Sequence, residues 1–434
     1  MKKRMLSAGA IVLASALALT GCSSGSSESS SPVSEDASGQ DITLWLAGSD
    51  TPDELRQYLI DTYAETTGGT LTIEEQAWGD LISNLTTALP DSANTPDVVE
   101  IGNTQSATFT TAGAFLDISD MVEELGGDDL LQGFLEAGSV GDTTYAVPYY
   151  AGSRVVFYRK DIWEAAGLTV PSTLEEFNED VKTLKSSDQA GLWIGGSDWR
   201  NAISWIFANG GELATYDGST WTSTFSDANT ITGLEQFQDL FQNASTASTT
   251  DTDAETYLKL NDATDTGTPD AATALAPSWA YWSIGDPVTL EDGTEGVEWN
   301  DDKWGVFALP GVDGGVAPVF AGGSNIAISA ASTKQAGAKE LLKIIFSEEY
   351  QTMLAENGLL PGNTSYNSAV PESVYSEAAV TAAENAKLTP AAPGWAALEE
   401  SGLLEEFFSK VADGGDIEAL AAEYDPQFTE YLNQ

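Results

Sequence analysis

Tyr145-Ala146-Val147-Pro148-Tyr149-Tyr150-Ala151-Gly152-Ser153-Arg154-Val155-Val156-Phe157-Tyr158-Arg159-Lys160-Asp161 runs on through Ile162-Trp163-Glu164-Ala165-Ala166 to Gly167-Leu168. An extended segment passes a proline, becomes a second apolar strand, and enters a short helix that Gly167 closes. Such a segment reads as a crossing between two lobes. Downstream, Pro171-Ser172-Thr173-Leu174-Glu175-Glu176-Phe177 opens another helix, with Ser172 and Glu175 in capping-box spacing.

Upstream lies a β-α-β-α-β pattern. Ile42 to Leu46 is the first strand and ends at Ala47-Gly48-Ser49-Asp50. A helix follows, with Thr51 as its expected cap, Pro52 in the first turn, Leu55, Leu59 and Tyr63 on one face, and Gly68-Gly69 at its end. Leu71 to Gln76 is the second strand, Leu81, Ile82, Leu85 and Leu89 mark a helix stopped by Pro90, and Val98 to Ile101 is the third strand, leading into Gly102-Asn103-Thr104-Gln105. Ligands of open α/β sheets lie beyond the carboxyl ends of the strands, so Ala47 to Asp50 and Gly102 to Gln105 should border a cleft. Late in the chain, Gly322-Gly323-Ser324 precedes a strand from Asn325 to Ser329, Ala338, Leu341, Leu342 and Ile345 mark a helix, and Gly358 to Gly362 turns the chain back.

The N-terminus carries an address. Lys2, Lys3 and Arg4 precede an apolar run from Met5 to Leu19, and Leu19-Thr20-Gly21-Cys22 holds the only cysteine of 434 residues. This is the layout of a lipoprotein signal peptide over residues 1–21, with Cys22 as the lipidated first residue of the mature chain. Ser23 to Gly39 contains nine serines and two glycines. It cannot bury enough surface to fold, so residues 22–39 form a disordered tether with a root-mean-square span of about 20–25 Å. The protein is therefore expected outside the cytoplasmic membrane, attached to its outer face by lipid alone. The body from Gln40 onward exceeds what one core normally supports, and two lobes are expected.

Composition removes several chemistries. With no histidine in the chain, serine–histidine and cysteine–histidine nucleophile systems and histidine-ligated metals are excluded. Sixty-seven acidic against 17 basic residues give a formal charge of −50, which repels nucleic acid and anionic headgroups. Asp251, Asp253 and Glu255 alternate like metal ligands but lack the glycine and terminal glutamate of a calcium loop, so a solvated acidic loop is expected there. Neither metal nor cofactor is expected.

In the crossing segment and its Gly-Leu close, and over nearly the whole span from Asp41 onward, the chain resembles the extracellular solute-binding proteins of ABC importers, in the carbohydrate-binding family that includes maltose-binding protein. Asn is commoner in the family where Arg159 stands. The resemblance implies a two-lobe periplasmic-binding-protein-like α/β fold, each lobe a discontinuous α/β sandwich, joined by hinge crossings. Residues 40–149 plus 310–360 are then the first lobe, and 150–309 plus 361–434 the second. It further implies a non-enzymatic, monomeric subunit that captures a sugar, foremost an oligosaccharide, and docks on membrane permease subunits.

The twelve tryptophans supply an independent argument. Sugar sites pair flat aromatics with planar Asp, Asn, Gln and Arg groups. Trp199, Trp279, Trp282 and Trp395 stand in loop-like settings beside Gly, Pro, Ser or Asp. By resemblance, Trp279 falls where the family has an aromatic after a small-residue turn, and Trp395 where a late tryptophan stacks on ligand. Core packing is an indole's alternative fate, and it is the expectation for Trp45, Trp163 and Trp304. Asp50, Asn103, Gln105, Tyr150, Arg154, Arg200 and Asn325, at strand ends and crossings, are the polar candidates. Each can instead be a cap, turn former or hinge bond. Family members often carry an acid where Asn103-Thr104-Gln105 stands, and some carry Glu at Gly152. A polyamine or other cation is the alternative cargo, and a secreted glycoside hydrolase using an Asp/Glu pair is the enzymatic alternative.

Overall fold

The computed structural model describes residues 36–263, 266–289 and 295–434; the leader, Cys22 and the tether through residue 35 lie outside the described residues. The opening β-α-β-α-β unit forms as its pattern predicts. Strand Ile42–Ala47 pairs in parallel with Leu71–Gln76 on one side and Val98–Gly102 on the other. Helix Asp53–Thr67 buries Leu55, Leu59 and Tyr63, and Gly68 ends it in the left-handed conformation, φ 72°. Its start differs from the expectation. No side chain caps this helix, and the Thr51 hydroxyl faces inward to Tyr149 OH at 3.0 Å, where a buried phenol needs a partner. The capping box is likewise displaced by one residue. Thr173 accepts from Glu176 N at the start of helix Leu174–Leu184, while the Glu176 carboxylate accepts from Ser172 N and Oγ.

The crossing segment is a single 14-residue strand, Ala146–Arg159, buried throughout. Pro148 does not interrupt it. Instead, the pairing with strand Ala321–Ile328 shifts by one residue between Ser324 and Asn325, whose partners are Tyr150 and Pro148. A bulge of this kind absorbs a proline that has no N–H to give to the ladder. The strand serves two groups of neighbours. Its first half runs antiparallel to Ala321–Ile328, which itself lies against Val98–Gly102. Its second half pairs with Thr273–Pro277 and with Trp304–Phe307. The apolar clusters change with the partners: Val147, Tyr149 and Tyr150 pack with Leu44, Leu59, Leu341 and Ile345, whereas Ala151 and Val155 to Tyr158 pack with Trp163, Phe177, Trp205 and Phe407.

A third cluster, with Leu81, Leu85, Val99, Ile101 and Ala327, covers the other face of the parallel sheet. Alternation along the late strand fits this: Ile326 and Ile328 face one cluster, Ala327 the other. Among the described residues no helix is long and apolar enough to cross a membrane.

Candidate functional site

Three parallel strands end at one cleft of about 560 Å³. Asp50 follows the first strand, Trp78 the second, and Asn103, Thr104 and Gln105 the third. The crossing strand contributes Tyr150, Gly152 and Arg154 to the floor, and Arg200, Asp253, Ser278, Trp279 and Phe320 form the opposite side. Of the candidates named from sequence, Asp50, Asn103, Gln105, Tyr150, Arg154, Arg200 and Trp279 meet here. Asn103 also donates from Nδ2 to Ala321 O at 3.1 Å.

One wall is organised by two carboxyls around a phenol. Asp50 Oδ2 accepts from Trp78 Nε1 at 3.0 Å and lies 3.1 Å from Tyr150 OH, which is also 2.9 Å from Glu100 Oε1. Glu100 is fully buried and further accepts from Ala47 N at 2.8 Å and Ser324 Oγ at 2.5 Å. A phenol has one proton, so it donates to only one of these carboxyls at a time. The other contact then needs a proton on an acid. Burial supplies the reason for one to stay there: it pushes Glu100 up to about 7, and it raises Asp50 as well.

The facing wall is organised by Asp253 and two guanidinium groups. Arg154, 4% exposed, donates from Nη2 to Asp253 Oδ2 and from Nε to Asn201 Oδ1, both at 3.1 Å, with its guanidinium 4.8 Å from the centre of the Phe320 ring. Arg200 reaches Asp253 Oδ1 at 3.6 Å and lies 4.4 Å over the Trp199 ring. Asp253 thus bridges two arginines, and for this one residue of the otherwise largely exposed loop the expectation of a solvated acid is corrected. A solvent-exposed acid next to one cation is common, but one that spans two, the first of them buried, fixes both in the cleft wall.

Trp279 is 44% exposed, and its ring meets Tyr257 edge-on at 5.4 Å. Gly152 lies beside it on the floor, where a Cβ would reach only van der Waals contact, 3.4 Å from Trp279 Cδ1. Four other candidates lie elsewhere. Trp199 and Trp395 are each 1% exposed, their rings packed edge-on at 6.1 Å, with Nε1 donating to Glu405 and Glu399 respectively, both at 3.0 Å. Neither stands in a loop: Asp198 caps helix Trp199–Ala208, and Gly394 opens helix Trp395–Glu400, so the small and polar neighbours are helix starts. Asn325 is fully buried and donates from Nδ2 to Phe134 O at 2.9 Å, a bond that ties the late strand to a helix. Trp282 faces a neighbouring basin.

Sequence reasoning missed Trp78, Asp253, Ser278 and Phe320. The rule of strand carboxyl ends, applied to the second strand as it was to the other two, points to Trp78. Nothing local marks Asp253, whose partner Arg154 is 99 residues away. Glu399 also matters without lining the cleft: Oε2 accepts from Gln105 Nε2 at 2.6 Å and holds that amide at the rim.

The arrangement binds rather than reacts. Asp50 is held by Trp78 and Tyr150, and Asp253 by two arginines, while two half-exposed indoles, Trp78 and Trp279, present flat apolar faces among planar hydrogen-bonding groups. Among the described residues no acidic cluster is arranged to hold a metal ion.

Comparison with known proteins accords with this geometry. The diacetylchitobiose binding protein DasA of Streptomyces coelicolor is 29% identical over 444 residues, covering 100% of this chain and 99% of that protein. Among solved structures, the sugar-binding protein MalE from Xanthomonas citri matches with a TM-score of 0.75 at 20% identity, over 91% of this chain and 97% of that one. The GacH receptor of Streptomyces glaucescens gives 0.73 at 20% identity, over 91% and 98%. The fold is the two-lobe α/β architecture of those proteins, and their family is one of binding proteins, not enzymes, which sets aside the hydrolase alternative. The family model for bacterial extracellular solute-binding proteins matches residues 48–352, and the chain belongs to that family.

Proposed function

We propose that this protein is the lipid-anchored ligand-capturing subunit of an ABC importer, that its cargo is an oligosaccharide, and that a disaccharide of 2-acetamido sugars is the first to test. The observation that carries the reading is the cleft wall itself: Trp78 and Trp279 exposed among Asp50, Gln105 and Arg200. Indole faces suit the C–H side of a sugar ring, and carboxylates, amides and guanidinium groups suit its rim. An acetamido group adds a carbonyl that accepts from Arg or Gln and an N–H that donates to a carboxylate. DasA, similar along its whole length, is named for diacetylchitobiose. Ligand held between lobes favours the closed form, and closure about the crossings presents one shape to membrane permease subunits.

Titration calorimetry on a form beginning at Gln40, against diacetylchitobiose, other mono- and oligosaccharides, polyamines and amino acids, tests the cargo. Diacetylchitobiose is expected to bind, and Trp279→Ala to weaken it by about 1–3 kcal/mol through loss of apolar contact, or about 5- to 150-fold. Since Trp279 is exposed, the melting temperature should hardly change. Heat from polyamines and none from any sugar would sink the reading in favour of the cationic cargo.

The anchor is tested apart from the cargo. Cys22→Ser is expected to move the full-length protein from the membrane to the soluble fraction with ligand affinity unchanged. A parent protein extracted from membranes with an unmodified N-terminus upstream of Cys22, seen by intact mass, would refute the lipid.

A further inference from the structure

Past Trp279 the cleft opens into a second basin of about 550 Å³, with Asp50, Tyr150, Trp279 and Leu359 common to both. The basin's further lining includes Trp282 together with Glu356 and Asn357 at the end of helix Glu348–Glu356. At 61%, Trp282 is the most exposed of the large apolar side chains described. It is nevertheless held in place. The ring edge that carries Nε1, Cε2 and Cζ2 lies against Gly358, where φ is +77° and a Cβ would come 3.0 Å from Trp282 Cζ2, and the indole is nearly perpendicular to the Tyr281 ring, 5.0 Å away between centres. An indole kept in water while braced from behind is an apolar surface awaiting a contact. Each basin alone lies within the range of about 300–1,000 Å³ typical of small-molecule sites. Joined through Trp279, they have room for a chain that outruns the first.

We infer that the second basin is a further sugar subsite, which stacks an additional ring on Trp282 and binds its hydroxyls through Glu356 and Asn357, so that the protein prefers chains longer than a disaccharide. The inference rests on the sugar reading above and adds chain length to it. A carboxylate and an amide beside one flat aromatic repeat, in the second basin, the chemistry of the first. The shared Trp279 makes the path between them continuous.

Calorimetry with the di-, tri- and tetrasaccharides of N-acetylglucosamine, and with the matching maltose series, decides it. The parent should bind the tri- or tetrasaccharide of one series at least about fivefold tighter than its disaccharide, a modest share of what a buried aromatic contact contributes. Trp282→Ala should remove that increment and leave disaccharide affinity within about twofold. Glu356→Gln should reduce the increment in part, and unchanged melting temperatures verify folding in both. Trp279→Ala should weaken every length. Equal affinity for all lengths in the parent, or an increment that survives Trp282→Ala, overturns the subsite while leaving the sugar reading intact. If neither series binds, the subsite is overturned, and the sugar reading falls with it only when every other sugar of the wider panel is silent too.

Discussion

Trp395→Ala is expected to destabilise the protein by about 3–5 kcal/mol, the cost of truncating a core tryptophan, while the molecules that remain folded bind ligand nearly as the parent does. The indole is 1% exposed and its ring packs against Trp199. Its removal leaves a cavity and deprives Glu399 Oε1 of the Nε1 donor at 3.0 Å. Glu399 keeps its second contact, the 2.6 Å bond from Gln105 Nε2, so the rim amide stays in place. Denaturant unfolding and calorimetry must be run on the same samples. A variant that melts with the parent yet loses sugar affinity would restore Trp395 to the ligand face and overturn its placement in the core.

Trp279 and Trp395 looked alike in sequence, each an indole beside proline and a small residue, and they have opposite environments. What separates them is the element each one begins. Pro277 and Ser278 lead into a short 3-10 turn, Ser278–Ser283, that leaves Trp279 partly in solvent. Gly394 opens a helix whose first residue, Trp395, is drawn into the core by the helices beside it. Local composition fixes the start of a helix but not which side of it the rest of the protein covers.

The opening half was legible because its signals are local. Leu55, Leu59 and Tyr63 recur on a helical face, three apolar runs alternate with helices, and the strand-end rule then places Asp50 and Gln105 without knowledge of the remainder. The crossing strand was legible as a crossing, since an unbroken buried run through a proline has few other homes. Its division between two sets of partners was not, because Arg154 pairs with Pro277 and Ser153 with Ala321 over more than a hundred residues. The same distance hid Asp253. In a chain with 67 acids, one more aspartate reads as solvated surface until its arginines are seen in space.

Glu100→Gln is expected to change how stability depends on pH. Burial raises the folded-state pKa of Glu100 to about 7 from an ordinary 4.5. Between these values the folded protein holds a proton that the unfolded chain has released, so this group's stabilising contribution is complete below about 4.5 and is lost as pH rises through 7. The shift corresponds to a loss on the order of 3 kcal/mol. Glutamine removes the titration. It also fits the site: its oxygen can accept from Ala47 N, and its amide can face Tyr150 OH and Ser324 Oγ, hydroxyls able to turn and accept. Asp50 and the Tyr149, Tyr150 and Tyr350 phenols are the other titratable groups around Glu100, and all four remain in the variant. Relative to the parent, the variant should therefore gain about 3 kcal/mol between pH 4.5 and 7.5, whatever its offset at either end. Urea unfolding of both proteins across that interval measures the gain. Parallel stability curves would mean that Glu100 ionises normally, and that the proton needed between Asp50, Tyr150 and Glu100 resides on Asp50.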